Sequence, residues 1–118
     1  MLVGSSAGAA IAGSALDRVT EAISYVGIGY TFGWFSSLVF GSHYTAVLNS
    51  IKPKLFIMGT RDEFTSVAQL ESKLLYVEKA EIQLVKGVNH FQLESQRYAS
   101  VTAKYIFEFI ELVERDKR

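Results

Sequence analysis

Leu55-Phe56-Ile57-Met58 is an unbroken apolar run, with Pro53 just before it and Gly59 just after. A run without polar alternation suits a strand covered on both faces, and such strands belong to parallel sheets flanked by helices. Pro53 fits the first strand position, where a missing N–H is tolerated. The segments that follow agree. Ser66 and Gln69 have the spacing of a capping box. Val67, Leu70, Leu74 and Val77 then recur at three- and four-residue spacing and give one apolar helical face. In the next strand Ile82 and Leu84 alternate with Glu81 and Gln83, between Lys79 and Lys86, which suits an edge or near-edge position. A last helix is expected from about Gln96 to Arg115. Tyr98, Val101, Tyr105, Phe109, Leu112 and Val113 form its apolar stripe, with Lys104, Glu108, Glu111 and Glu114 facing water.

The first half continues the pattern. Met1-Leu2-Val3 reads as the end of a strand, shorter than the usual five or six residues. Ala22 to Tyr30 reads as another strand, in which Ile23, Val26 and Ile28 are β-branched and the glycines indicate close packing or a bend. A helix is expected from about Ala7 to Leu16, and Tyr44 to Asn49 suits a short one. Strands alternating with helices imply an α/β fold: a parallel sheet of about four strands with helices on both faces. The 118 residues suit a single domain spanning 1–118.

Between the first strand and the first helix lies Gly4-Ser5-Ser6-Ala7-Gly8. Strand, sharp turn, helix is the context in which G-x-S-x-G lifts a nucleophilic serine clear of a sheet. Small residues are needed because the turn is strained and its flanks press on strand and helix. Ser6 would then stand at a helix N-terminus, where the Ala7 N–H can donate to a developing oxyanion. A serine hydroxyl is a weak nucleophile and needs a base beside it. Two later residues supply candidates. Asp62 follows Lys54 to Arg61, and His90 follows the strand that leads into Gly87-Val88-Asn89. His90 can take and return a proton near neutrality. Asp62 can hold its imidazole in the productive tautomer. All three would sit at the carboxyl ends of parallel strands.

The order Ser, acid, His, together with P-K-L-F-I-M-G-T-R-D-E-F and G-V-N-H-F, resembles the α/β-hydrolase superfamily, in particular its small, lid-poor serine hydrolases. The resemblance runs from Leu2 to about Val113 and covers the C-terminal half of that fold, from the nucleophile elbow onward. It implies hydrolysis of an ester, thioester or similar acyl bond in a small-molecule substrate, with Ser6, Asp62 and His90 catalytic, Ala7 in the oxyanion hole and no cofactor. It also implies that Thr31 to Ser50 occupies the place where lids are inserted, though that stretch has the length of an ordinary connection plus a helix. The family's earlier strands have no counterpart, so the elbow strand is expected at a sheet edge open to self-association. The second oxyanion donor, which comes from an earlier loop, is expected to be absent, at a cost of roughly 10²–10³ in rate.

Each candidate has a plainer alternative. Ser6 can be a helix N-cap, Asp62 a turn or helix-start carboxylate, and His90 a loop histidine packed on Phe91. Glu63 is the rival acid, with a side chain expected to point elsewhere. His43 reads as a surface or lid histidine, and two histidines without clustered carboxylates or cysteines make a poor metal site. The patch from Phe32 to Phe40 reads as core; the sharper reading makes part of it an acyl or leaving-group pocket.

A 49% apolar content is normal for a globular protein and argues against a disordered chain. Zero formal net charge and the lack of a basic stripe argue against nucleic acid as a partner. No run reaches the ~18 apolar residues of a membrane span. The first sixteen residues lack the positive start of a signal peptide. The chain has no cysteine, hence neither disulfides nor thiolate chemistry, which fits a cytoplasmic location. Two other functions stay open: a catalytically inactive α/β-hydrolase fragment acting as a binding or interaction module, and a flavodoxin-like binder. The second is disfavoured because its phosphate loop would want more glycines or a P-loop lysine.

Overall fold

The computed structural model describes residues 1–5, 23–29 and 48–116. Four strands form one sheet: β1 (Leu2–Ser5), β2 (Tyr25–Ile28), β3 (Lys54–Gly59) and β4 (Ala80–Val85). They lie side by side in chain order, and every pair is parallel. Helix α1 (Val67–Leu74) joins β3 to β4. The short α2 (His90–Leu93), a 3₁₀ turn (Gln96–Tyr98) and α3 (Ala99–Asp116) complete the described chain.

The apolar run does what its lack of alternation implies. All six residues of β3 are buried, and successive side chains go to opposite faces because the strand period is two. Phe56 and Met58 join Tyr25, Leu70 and Leu74 in one core, under α1. Leu55 and Ile57 join Val26, Val85, Val88, Leu93, Phe109 and Val113 in a second core, under α2 and α3. Helices therefore cover both faces. On the first face Tyr25 meets Phe56 edge-on, with ring centroids 5.9 Å apart.

Helix α1 starts where its capping box predicts. The Gln69 N–H donates to Ser66 Oγ at 3.1 Å, and the Ser66 N–H donates to Gln69 Oε1 at 2.8 Å. Leu70 and Leu74 are buried, while Val67 and Val77 pack against them half-buried. On β4, Ala80, Ile82 and Leu84 turn toward this core. The strand lies at one edge of the sheet, as its alternation suggests, and β1 lies at the other.

Some expectations are trimmed. Among the described residues, the strand expected over Ala22–Tyr30 is observed as Tyr25–Ile28. The last helix opens with the 3₁₀ turn, so its α-helical part begins at Ala99. Within α3, Phe109 and Val113 are buried but Phe107 and Ile110 are exposed, so the apolar stripe is narrower than the helix's apolar content. The helix expected over Ala7–Leu16, the Phe32–Phe40 patch, Ser6, Ala7 and His43 lie outside the described residues. Among the described residues, no helix is long and apolar enough to cross a membrane.

Candidate active site

All four strands are parallel, so their carboxyl ends lie on one side of the sheet. Beyond the ends of β3 and β4, the chain is laced together by consecutive residues. The Thr60 N–H donates to the Val85 carbonyl at 3.0 Å, and Thr60 Oγ1 accepts from the Gly87 N–H at 2.8 Å. The Arg61 N–H donates to the Val88 carbonyl at 2.9 Å. Asp62 Oδ2 lies 2.7 Å from His90 Nδ1. Finally, Glu63 Oε1 accepts the backbone N–H of His90 at 3.0 Å. Gly59 allows this close approach, since a Cβ there would fall 2.0 Å from the Val88 carbonyl oxygen.

The Asp62–His90 contact is dry: both side chains are 1% exposed. A buried carboxylate next to an imidazole nitrogen requires a proton between them. In a neutral imidazole with that proton on Nδ1, Nε2 carries the lone pair. This is the tautomer a general base needs. The other Asp62 oxygen is also used, for Oδ1 accepts the N–H groups of Phe64 and Thr65 at 2.8 and 2.9 Å. One Asp62 oxygen therefore serves the turn, as a turn carboxylate would, and the other faces the His90 ring.

His90 follows β4, yet its ring lies over the end of β2. A Cβ added to Gly29 would come within 3.1 Å of His90 Cε1, and Gly29 has φ +63°, so glycine is suited there both by backbone and by space. The end of β2 is one strand spacing, about 4.8 Å, from the end of β1. Strand β1 ends at Ser5, the residue bonded to Ser6. Phe64 and Phe91 close on the imidazole edge-on, at centroid distances of 4.8 and 5.5 Å. The packing of His90 on Phe91 thus accompanies the Asp62 contact and does not replace it. Glu94 Oε1 lies 3.6 Å from Nε2, on the ring's other side.

His90 is the first residue of α2, whereas the sequence reading leaves it in a loop. Asn89 is the N-cap: its Oδ1 accepts the Gln92 N–H at 2.8 Å, and Gln92 Oε1 accepts the Asn89 N–H at 2.9 Å. The Asn89-x-x-Gln92 spacing carried this signal, as Ser66-x-x-Gln69 did for α1. The Glu63 side chain, expected to point elsewhere, instead reaches His90 and accepts its backbone N–H. The places of Gly29, Phe64 and Glu94 around the ring were also unforeseen, since they depend on how three loops meet. Among the described residues, no group of three or more His, Cys, Asp or Glu is arranged to hold a metal ion.

The same arrangement of strands and helices occurs in solved structures of known kind. An esterase from Pyrococcus furiosus superimposes with a TM-score of 0.70 at 18% identity, over 92% of this chain and 52% of that one. The esterase domain of a Rhodothermus marinus protein gives 0.67 at 13% identity, over 84% and 54%. An α/β serine hydrolase homologue from Coxiella burnetii gives 0.59 at 20% identity, over 95% and 44%. The fold is an α/β-hydrolase fold. The chain spans about half the length of these α/β-hydrolase structures. No protein-family model matches the sequence, and no curated protein matches it.

Proposed function

We propose that this chain carries the catalytic residues of a serine hydrolase that cleaves an ester, thioester or similar acyl bond. The observation that supports this best is the buried imidazole of His90, tied to Asp62 at 2.7 Å and set over the end of β2. Strand β2 pairs in turn with β1, the strand that leads into Ser6. The neighbours named as esterases and serine hydrolases point the same way through their shared fold.

In this reading Ser6 Oγ attacks the acyl carbonyl carbon while its proton passes to His90 Nε2. Asp62 stabilises the imidazolium that forms, and the Ala7 N–H donates to the oxyanion. The proton then goes to the leaving group as the acyl–oxygen or acyl–sulfur bond breaks, leaving an acyl group on Ser6. Water, deprotonated by His90, attacks that ester and releases the acid. No step calls on a cofactor.

A fluorophosphonate probe tests the proposal directly. The purified chain is expected to become labelled, and Ser6→Ala to lose the label completely. A folded chain that stays unlabelled overturns this reading and leaves the alternative, an inactive α/β-hydrolase fragment serving as an interaction module.

A further inference from the structure

We infer that Glu63 is a positioning residue for His90, holding the imidazole's backbone anchor while Asp62 holds its ring; this rests on the reading of His90 as the base. The start of a helix leaves its first N–H groups without intrahelical acceptors. At α2 the cap residues serve two of them: Asn89 Oδ1 takes the Gln92 N–H, and Gln92 Oε1 takes the Asn89 N–H. The N–H of His90 itself is served from outside the helix, by Glu63 Oε1 at 3.0 Å.

The geometry gives that bond a consequence beyond capping. The Asp62 contact at Nδ1 and the packing of Phe64 and Phe91 orient the ring, but they act on the ring and not on the main chain that carries it. Fixing the main-chain nitrogen of the same residue adds a second point. With both ends held, the side-chain torsions have little freedom and Nε2 has one place to be. The two anchors come from adjacent residues on one turn, and that turn is itself pinned by Asp62 Oδ1 to the Phe64 and Thr65 N–H groups. Glu63 and Asp62 therefore act as one bracket carried by β3, set against a histidine carried by α2. Glu63 is an exposed residue outside both cores, so its removal leaves the packing of the sheet intact. Misplacing a base by a fraction of its reach slows the chemical step without weakening ground-state binding.

The test compares the full chain with Glu63→Gln and Glu63→Ala. The amide of glutamine presents an oxygen acceptor at the same reach; alanine presents none. In Glu63→Ala the maximal phosphonylation rate of Ser6 is expected to fall about tenfold with probe affinity unchanged, and Glu63→Gln to stay within about threefold of the parent. On ¹⁵N-labelled protein, Glu63→Ala is expected to lose the downfield His90 Nδ1–H signal and the exchange protection of the His90 amide, and Glu63→Gln to keep both. Parent-like labelling in Glu63→Ala overturns the inference. So does a Glu63→Gln chain as slow as Glu63→Ala, or a Glu63→Ala chain that fails to fold. Should the parent chain resist the probe altogether, the proposed hydrolase reading fails, and the NMR signals alone decide whether Glu63 positions His90.

Discussion

Asp62 does two jobs with two oxygens, and substitution can separate them. An asparagine can turn its oxygen to the Phe64 and Thr65 N–H groups and keep the turn. Its amide nitrogen would then face His90 Nδ1 as a donor, which forces the proton to Nε2 and removes the base. Asp62→Asn is therefore expected to melt near the parent temperature and to lose roughly 10³–10⁴ in Ser6 labelling rate. Asp62→Ala loses the turn as well as the ring contact. It leaves buried donors unpaired, so its stability is expected to drop by about 1–3 kcal/mol in urea titrations. A matched loss of stability in both variants would show that the two oxygens do not divide the work this way.

At the scale of elements, α1 and α2 start with the same device and differ in what they carry. Both have a reciprocal capping box, Ser66 with Gln69 and Asn89 with Gln92. Removing the cap from either is expected to cost about 1 kcal/mol. Helix α1 packs Leu70 and Leu74 onto the sheet and bears no candidate catalytic group. Ser66→Ala is thus expected to lower the urea midpoint and leave labelling unchanged. Helix α2 begins with His90, so Asn89→Ala is expected to lower the midpoint by a similar amount and to slow labelling as well. Running both variants through the same melts and probe assays checks the contrast; equal labelling in the two would separate the α2 cap from the site.

For the whole molecule, stability is centred on β3. It is paired on both sides, by β2 and β4, and it supplies side chains to both cores. Strands β1 and β4 have a partner on one side only among the described residues. Amides opened only by global unfolding should therefore lie on β3. Native-state hydrogen exchange is expected to be slowest at Leu55 to Met58 and faster along β4. The candidate site hangs from the carboxyl end of that most stable strand, because Asp62 and Glu63 directly follow it. A base held from a rigid element loses little to local fluctuation, and the chain that follows β4 into His90 is tied to that element by its bonds to Thr60, Arg61, Asp62 and Glu63.

What could be read from the sequence was what local rules determine. The unbroken run Leu55–Met58 specified a buried parallel strand, the Ser66–Gln69 spacing specified the start of α1, and alternation around Ile82 and Leu84 suited an edge or near-edge strand. Each of these depends on strand period, helix period or a cap, and those are properties of a few neighbouring residues. Asp62 and His90 were also legible as candidates, from residue type and order after two strands. Tertiary structure alone decided how they meet: that the His90 ring comes to lie against Gly29 after β2, that Asp62 and His90 are buried together, and that Glu63 reaches a backbone N–H twenty-seven residues away. Those contacts join loops far apart in the chain. Their geometry is set by the packing of the sheet beneath them, which no local pattern encodes.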